Sequence, residues 1–286
     1  MEGSPVSPGF TLRAVTAADL PTLLPWLRPG AARTLPLAEP TTAATATTAT
    51  AGDGSAEHWL LVETQGAPRA CLRLRRAIGL ALPRPWYHVG CVVHAAPALQ
   101  LQHRQHTLLL GHDHTGASEL ADIAWQRTGR SLAEQAAALQ ALVQGAIARI
   151  AAQRHQYAAT LIVELPGRRD AQGHAPFWHG LGRHFYAGDP EAAAERFGPD
   201  WRCHVAALLP RQPVYAAFLS DAAQAAIAQV DDGSRLLLDT LWHAGLRYGH
   251  HITVDDGGPV FEAEVDALVG GAAAPPTMGV EGRKSL

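Results

Sequence analysis

Apolar and polar residues alternate along Phe10-Thr11-Leu12-Arg13-Ala14-Val15, the two-residue period of a half-buried strand. The period then changes. Leu20, Leu23, Leu24 and Leu27 recur at helical spacing, which predicts a helix from Thr16 or Ala17, with Asp19 near its positive end and Pro29-Gly30 as its stop. Strands follow over His58–Glu63 and Ala70–Arg75, joined as a hairpin by Gln65-Gly66-Ala67-Pro68, and two more short β-rich runs cover Trp86–His94 and Thr107–Leu110. The clearest helix begins at Ser131-Leu132-Ala133-Glu134, which has capping-box spacing. Leu132, Leu139, Leu142, Val143, Ile147 and Ile150 give it an apolar stripe of about six turns. Tyr157–Leu165 is rich in β-branched residues and reads as a strand. Short helices are expected near Pro176 and Pro190, from Ser220 or Asp221 to about Gln229, and from Ser234 through Trp242 to Gly245. Two final strands, Tyr248–Val254 and Val260–Val265, flank the turn Asp255-Asp256-Gly257-Gly258-Pro259.

This order, β-α-β-β-β-β-α-β as far as Leu165, is an α/β plan. One domain is expected over residues 10–267. It carries a flexible Thr/Ala-rich insertion at 38–56, a disordered N-terminus at 1–9 and a disordered Gly/Ala/Pro-rich tail at 268–286.

Composition narrows the function classes. The chain has 286 residues, 47% hydrophobic and 17% charged, so it can bury a sizeable core. A formal net charge of -3 gives no field that would attract nucleic acid or an anionic membrane, and neither is expected as a partner. Cys71, Cys91 and Cys203 are widely spaced and form no Cys-x-x-Cys pair, so a disulfide framework and a cysteine zinc site are not indicated. With no leader pattern and no long apolar run, a cytoplasmic location is expected.

Candidate chemistry centres on His112-Asp113-His114-Thr115-Gly116-Ala117-Ser118-Glu119-Leu120 and the loop behind it, Gln126-Arg127-Thr128-Gly129-Arg130-Ser131. A glycine loop opening a helix lets a phosphate approach main-chain N–H groups, with the helix dipole and Arg127 or Arg130 stabilising its charge. A plain capped helix with a glycine in its approach explains the same residues. His114 and Glu119 are the substrate-side candidates; a satisfied histidine and a capped turn are the alternatives. Among 15 histidines, His112 and His114 would share a strand face, but no third ligand follows nearby, so no metal is expected. No Gly-x-Ser-x-Gly elbow or Walker loop occurs.

The loop matches the Q/R-x-x-G-x-G/A pattern of the acyl-CoA N-acyltransferase superfamily, with Ser131 in the final small position. A series of stretches in fixed order resembles the arginine N-succinyltransferase family. They are Thr34-Leu35-Pro36; Pro85-Trp86-Tyr87 with Val93-His94-Ala95; His112–Leu120; Ala175-Pro176-Phe177-Trp178 with Leu181-Gly182-Arg183-His184-Phe185; Ala207–Tyr215; Ala223-Gln224 with Gln229-Val230; and Asp255–Pro259. The resemblance implies an acyl-CoA N-acyltransferase (GNAT-like) fold, a mixed, mostly antiparallel sheet flanked by helices. It also implies succinyl-CoA as co-substrate and the α-amino group of arginine, or of a related amine such as ornithine, as acceptor in arginine catabolism. Carried over onto this chain, it puts donor-binding main-chain groups at Ile123 and phosphate contacts at Gln126, Arg127, Gly129, Arg130 and Ser131.

Three departures follow. The family's proton-donating histidine after Gln-Val is replaced by Asp231, a carboxylate whose ordinary pKa of about 4 makes it a poor acid at neutral pH. His243, His250 and His251 are the possible substitutes. The segment from Ile123 to the Gly129 loop is shorter than in the family, and a small C-terminal piece is expected to be missing. The competing expectation is a catalytically impaired paralogue that binds acyl-CoA or serves as a partner subunit in a homo- or hetero-oligomer.

Overall fold

The structure, a computed structural model, describes residues 4–7, 9–27, 31, 35, 57–198 and 200–270. The insertion at 38–56, the Pro29-Gly30 stop, Thr34, Pro36 and the tail from 271 onward lie outside the described residues.

Eleven strands form one sheet: β1 (Ser4–Ser7), β2 (Phe10–Ala14), β3 (Glu57–Thr64), β4 (Ala67–Arg75), β5 (Trp86–Ala96), β6 (Leu101–Gly111), β7 (Ser118–Trp125), β8 (Thr160–Glu164), β9 (Val214–Tyr215), β10 (Arg247–Thr253) and β11 (Pro259–Glu264). Their spatial order is β1-β2-β3-β4-β7-β8-β11-β10-β5-β6-β9. Every ladder is antiparallel except that between β7 and β8. The expected mixed, mostly antiparallel sheet is present.

The helix Leu132–Ala152 lies across β1–β4 and β7 on one face of the sheet. Its Leu139, Leu142, Val143 and Ile150 pack with Leu60, Val62, Leu72, Leu74, Leu161, Val163 and Phe261 in the main core. Leu132, the first residue of the apolar stripe, is instead exposed. A second core lies where the helices Pro176–Gly180, Trp201–Val205 and Asp221–Ala226 bring Phe177, Trp178, Trp201 and Ala223 against Tyr87, Leu108 and Ile252.

Several expectations need correction. The N-terminal helix is a 3-10 turn (Ala17–Asp19), one α turn (Leu20–Leu23) and a second 3-10 turn (Leu24–Trp26). Pro21 and Pro25 each remove a backbone donor, and a proline ring clashes with the carbonyl four residues back, so a continuous helix cannot form. The two short β runs are a long hairpin, β5 with β6; the part of β6 that the expectation left out, Leu101–His106, is mostly polar and exposed and therefore carried no hydrophobic signal. Ser118–Trp125 is a further strand that the expected element order omitted. Ser4–Ser7 pairs with β2, inside the stretch expected to be disordered, and residues 268–270 belong to the helix Val265–Gly270. No helix among the described residues is long and apolar enough to cross a membrane.

Candidate active site

The parallel pair is short. Only Ser118↔Leu161 and Glu119↔Ile162 are in register, and beyond them β7 follows β4 while β8 does not follow β7. In the β4–β7 ladder Cys71 faces Ala124 and Arg73 faces Ala121, so Asp122 and Ile123 together oppose Leu72 as a bulge. Asp122 takes a left-handed conformation, φ 51°, which aspartate tolerates better than most residues, and Arg73 Nη2 holds its carboxylate at 2.7 Å. On the other side, the continuation of β8 finds a different neighbour. Gly167 bridges Val230, and Asp231 N–H donates to Pro166 O at 2.9 Å. The two strands therefore splay, with the Ile123 main chain at the opening; the Ile123 side chain packs on the main core.

Beyond Trp125 the chain enters the glycine loop. Gln126 Oε1 accepts from Arg69 Nη1 at 2.9 Å and Arg130 Nε at 3.3 Å. The Arg127 guanidinium stacks on the Trp125 ring at 4.2 Å and, among the described residues, has no carboxylate partner. Gly129 has φ +72° with open space around it, a conformation only glycine adopts freely. Ser131 caps the long helix as expected, and Glu134 answers: its Oε2 accepts from the Ser131 N–H and hydroxyl, both at 2.9 Å, and its Oε1 from Arg130 at 3.1 Å. The Ser131 N–H and hydroxyl, then Arg130, hold the Glu134 carboxyl down at about 2. A carboxylate thus already sits on the helix N-terminus that the sequence suggests for phosphate. The capping box and the phosphate cradle use the same donors.

Asp231 comes to this loop through its own turn. Its Oδ2 accepts from Gly233 N–H at 3.0 Å and caps the 3-10 turn Asp232–Ser234, while a side chain added at Gly233 would meet Arg127 Nη1 at 2.9 Å. Among the suggested histidines, His243 lies on the helix Arg235–His243 and bonds to Asp239 O, and His250 and His251 are on β10. The structure brings Asp231, Arg127 and the glycine loop together, and sets His114 and Glu119 elsewhere.

Glu119 is 1% exposed and takes part in a chain of buried charges. Arg84 bridges Glu119 at 2.8 Å and Glu164 at 2.7 Å; Arg202 joins Glu164 at 2.8 Å to Asp255 at 2.7 Å; Arg75 reaches Glu119 at 3.2 Å and Glu57 at 2.9 Å. Burial alone would raise the Glu164 carboxyl. Arg84, Arg202 and the Trp86 indole N–H, at 2.6 Å, outweigh it and hold the group at about 2. Of this set only Glu119 was singled out as a site residue from the sequence, because the others come from β3, β4, β8, the helix Trp201–Val205 and loops far apart in the chain.

His114 is 5% exposed and edge-on to Trp86, with ring centroids 5.1 Å apart. Burial first, then the neighbouring His251, lowers its pKa from 6.5 to about 4. A histidine kept neutral by the fold binds its proton more weakly there than in the unfolded chain, so its contribution is intact above 6.5 and is lost as pH falls through about 4. Replacing His114 with Asn is expected to flatten that part of the stability profile. Denaturant midpoints between pH 7 and 4 would check this, and a His114→Asn profile parallel to the parent's would refute it.

Residues 10–269 match the family described as arginine N-succinyltransferase beta subunit. The chain belongs to that family. Arginine N-succinyltransferases of Salmonella arizonae and Salmonella newport are each 33% identical to it over 197 residues, covering 67% of this chain and 55% of theirs. The aligned part of the chain thus spans about half the length of the relatives it matches. The structure of arginine/ornithine succinyltransferase subunit AI from Pseudomonas aeruginosa superimposes with a TM-score of 0.68 at 23% identity, over 92% of this chain and 79% of that one. That likeness shows a shared fold, which in this chain includes the short, splayed parallel pair leading to the glycine loop.

Proposed function

We propose that the chain transfers a succinyl group from succinyl-CoA to the α-amino group of arginine, or of a related amine such as ornithine, in arginine catabolism. The observation that carries this reading is the splayed β7–β8 pair leading into the glycine loop, in a chain of the arginine N-succinyltransferase family. The amine nitrogen attacks the thioester carbonyl, a C–N bond forms, the C–S bond breaks, and the nitrogen's proton passes to the departing thiolate. Ile123 main-chain groups hold the donor carbonyl, Arg127 and Arg130 attract the CoA phosphates, and Gly129 admits them to the backbone. Asp231 occupies the position of the family histidine and accepts the proton of the incoming ammonium. His114 and Glu119 act on the acceptor side by fixing the wall beside β7. Cytoplasmic location and assembly with further subunits belong to the same reading; the Pseudomonas relative is named as a subunit.

Release of CoA from succinyl-CoA in the presence of arginine, ornithine or lysine tests it. No turnover with any of them overturns the enzyme reading. The second reading is an impaired paralogue that binds acyl-CoA or pairs with an active subunit, and the observation favouring it is that the Asp231 carboxylate is engaged in capping its own turn. Asp231→His separates the two: a gain from a near-silent parent supports impairment, whereas a parent already active removes it.

Donor binding has its own test. Arg127→Glu is expected to weaken CoA binding about tenfold in calorimetry, about 1.4 kcal/mol. Glu134→Gln is expected to strengthen it several-fold by removing the carboxylate from the helix N-terminus. Affinity unchanged by both variants would place the donor elsewhere.

A further inference from the structure

Phe261 packs under the long helix, so its neighbours on β11, Val260 and Glu262, point to the opposite face. On that face β10 lies beside β11 and β5, with His251 opposite Val260 on one side and His88 on the other. A bulge between Tyr248 and His251, with His250 at φ 58°, sets this register. A histidine holds such a conformation only where the surrounding structure imposes it. It turns His251 toward Glu262. Gly249 contributes to the same end, since a side chain there would collide with the Glu262 carboxylate.

The turn before β7 adds His114. One ligating atom each from His114, His251 and Glu262 lies within 4.8 Å of the others. The His114 and His251 ring centroids are 4.4 Å apart. His251 Nδ1 lies 2.8 Å from Gly249 O, which orients the ring and leaves Nε2 facing the cluster, the arrangement by which proteins fix a metal-binding imidazole. Among the described residues, Nε2 of His251, the ring nitrogen facing the cluster, has no hydrogen-bond partner. Unmade bonds on buried imidazoles are costly unless something else takes the lone pair.

Two of the pair distances lie near the spacing that a small ion imposes on its ligands. Two ligands of a tetrahedral centre with bonds of about 2.1 Å are about 3.4 Å apart. His114 Nδ1 is 3.7 Å from Glu262 Oε2, and His251 Nε2 is 3.3 Å from Oδ2 of Asp113. Asp113 and Glu262 are partly solvent-exposed, which gives an ion a way in. Two imidazoles with carboxylates select a borderline divalent cation over magnesium or calcium.

We propose that His114, His251 and Glu262, with Asp113 at the solvent edge, form a binding site for a divalent transition-metal ion, zinc in the first instance. The site shares His114 with the acceptor side of the acyl-transfer reading but rests on its own geometry, so zinc binding is tested apart from turnover, and it reverses the expectation of no metal.

The test is calorimetric titration of the tag-free, chelator-treated full chain with zinc chloride, with cobalt(II) absorption as a second readout. One saturable equivalent is expected, with the intense visible bands of a four-coordinate cobalt ion. His251→Ala should weaken binding by roughly tenfold or more, and exposed His103→Ala should leave it unchanged. If His251→Ala does not fold, Glu262→Gln, a half-exposed side chain, carries the same expectation. No saturable equivalent, or an equivalent indifferent to both His251→Ala and Glu262→Gln, overturns the proposal.

Discussion

Arg84→Ala is expected to destabilise the protein by about 3–5 kcal/mol, read as a lowered urea midpoint at neutral pH. The Arg84 guanidinium is the only described group that links Glu119 on β7 to Glu164 on β8, the two strands of the parallel pair. Removing it leaves a 1% exposed carboxylate with Arg75 alone, at 3.2 Å, and takes one of two arginines from Glu164. A buried charge left short of its partner costs far more than a surface pair contributes. Adding Glu119→Gln to the variant should recover about 1 kcal/mol or more, since the repulsive charge is then gone. A midpoint within experimental scatter of the parent would mean that water reaches these groups. The same change should reduce any transferase activity, because it loosens the parallel pair whose divergence forms the proposed donor opening.

Gly258→Ala is expected to cost about 3 kcal/mol and to disturb the Asp231 segment without touching it. Gly258 lies against the continuation of β8, and a methyl there would collide with Leu165 O and meet Gly167 N at 2.5 Å. Backbone cannot swing aside as a long side chain can. The turn is also fixed from within: Asp256 Oδ1 accepts from the Thr253 hydroxyl at 2.6 Å and from Gly258 N–H at 3.0 Å, with Asp256 2% exposed. Since Gly167 bridges Val230 and Pro166 O holds Asp231 N–H, displacement here moves the candidate proton acceptor. The checks are the denaturation midpoint and the Michaelis constant for arginine measured together. A loss of stability with wholly unchanged kinetics would detach Asp231 from the site.

Much of the fold was legible in the sequence. The long helix could be placed to within a turn because its start is a contact three residues long, Ser131 with Glu134, and its buried face repeats every three to four residues. The β3–β4 hairpin and the β10–β11 pair followed from alternation and glycine turns. The N-terminal helix failed for a local reason that was also visible, two prolines four residues apart. The β5–β6 hairpin was drawn too short because Leu101–His106, the outer half of β6, is mostly polar and faces solvent, which leaves no apolar period to read.

By itself the sequence determined what depends on neighbours along the chain: the caps, the helical stripe, the glycine loop, and the stretches that mark the family. Tertiary structure alone decided what depends on strand order and register. The glycine loop was visible, but the splay of the strands before it needs β7 to leave β8 after two paired residues. Glu119 was visible, but its engagement with Arg75 and Arg84 was not. A histidine at 114 had no third ligand within reach of its own segment; β10 and β11, far along the chain, fold beside it and supply His251 and Glu262. Hydrophobic period reports which face of an element is buried, whereas a charged or ligating cluster is assembled by contacts whose sequence separation carries no period at all.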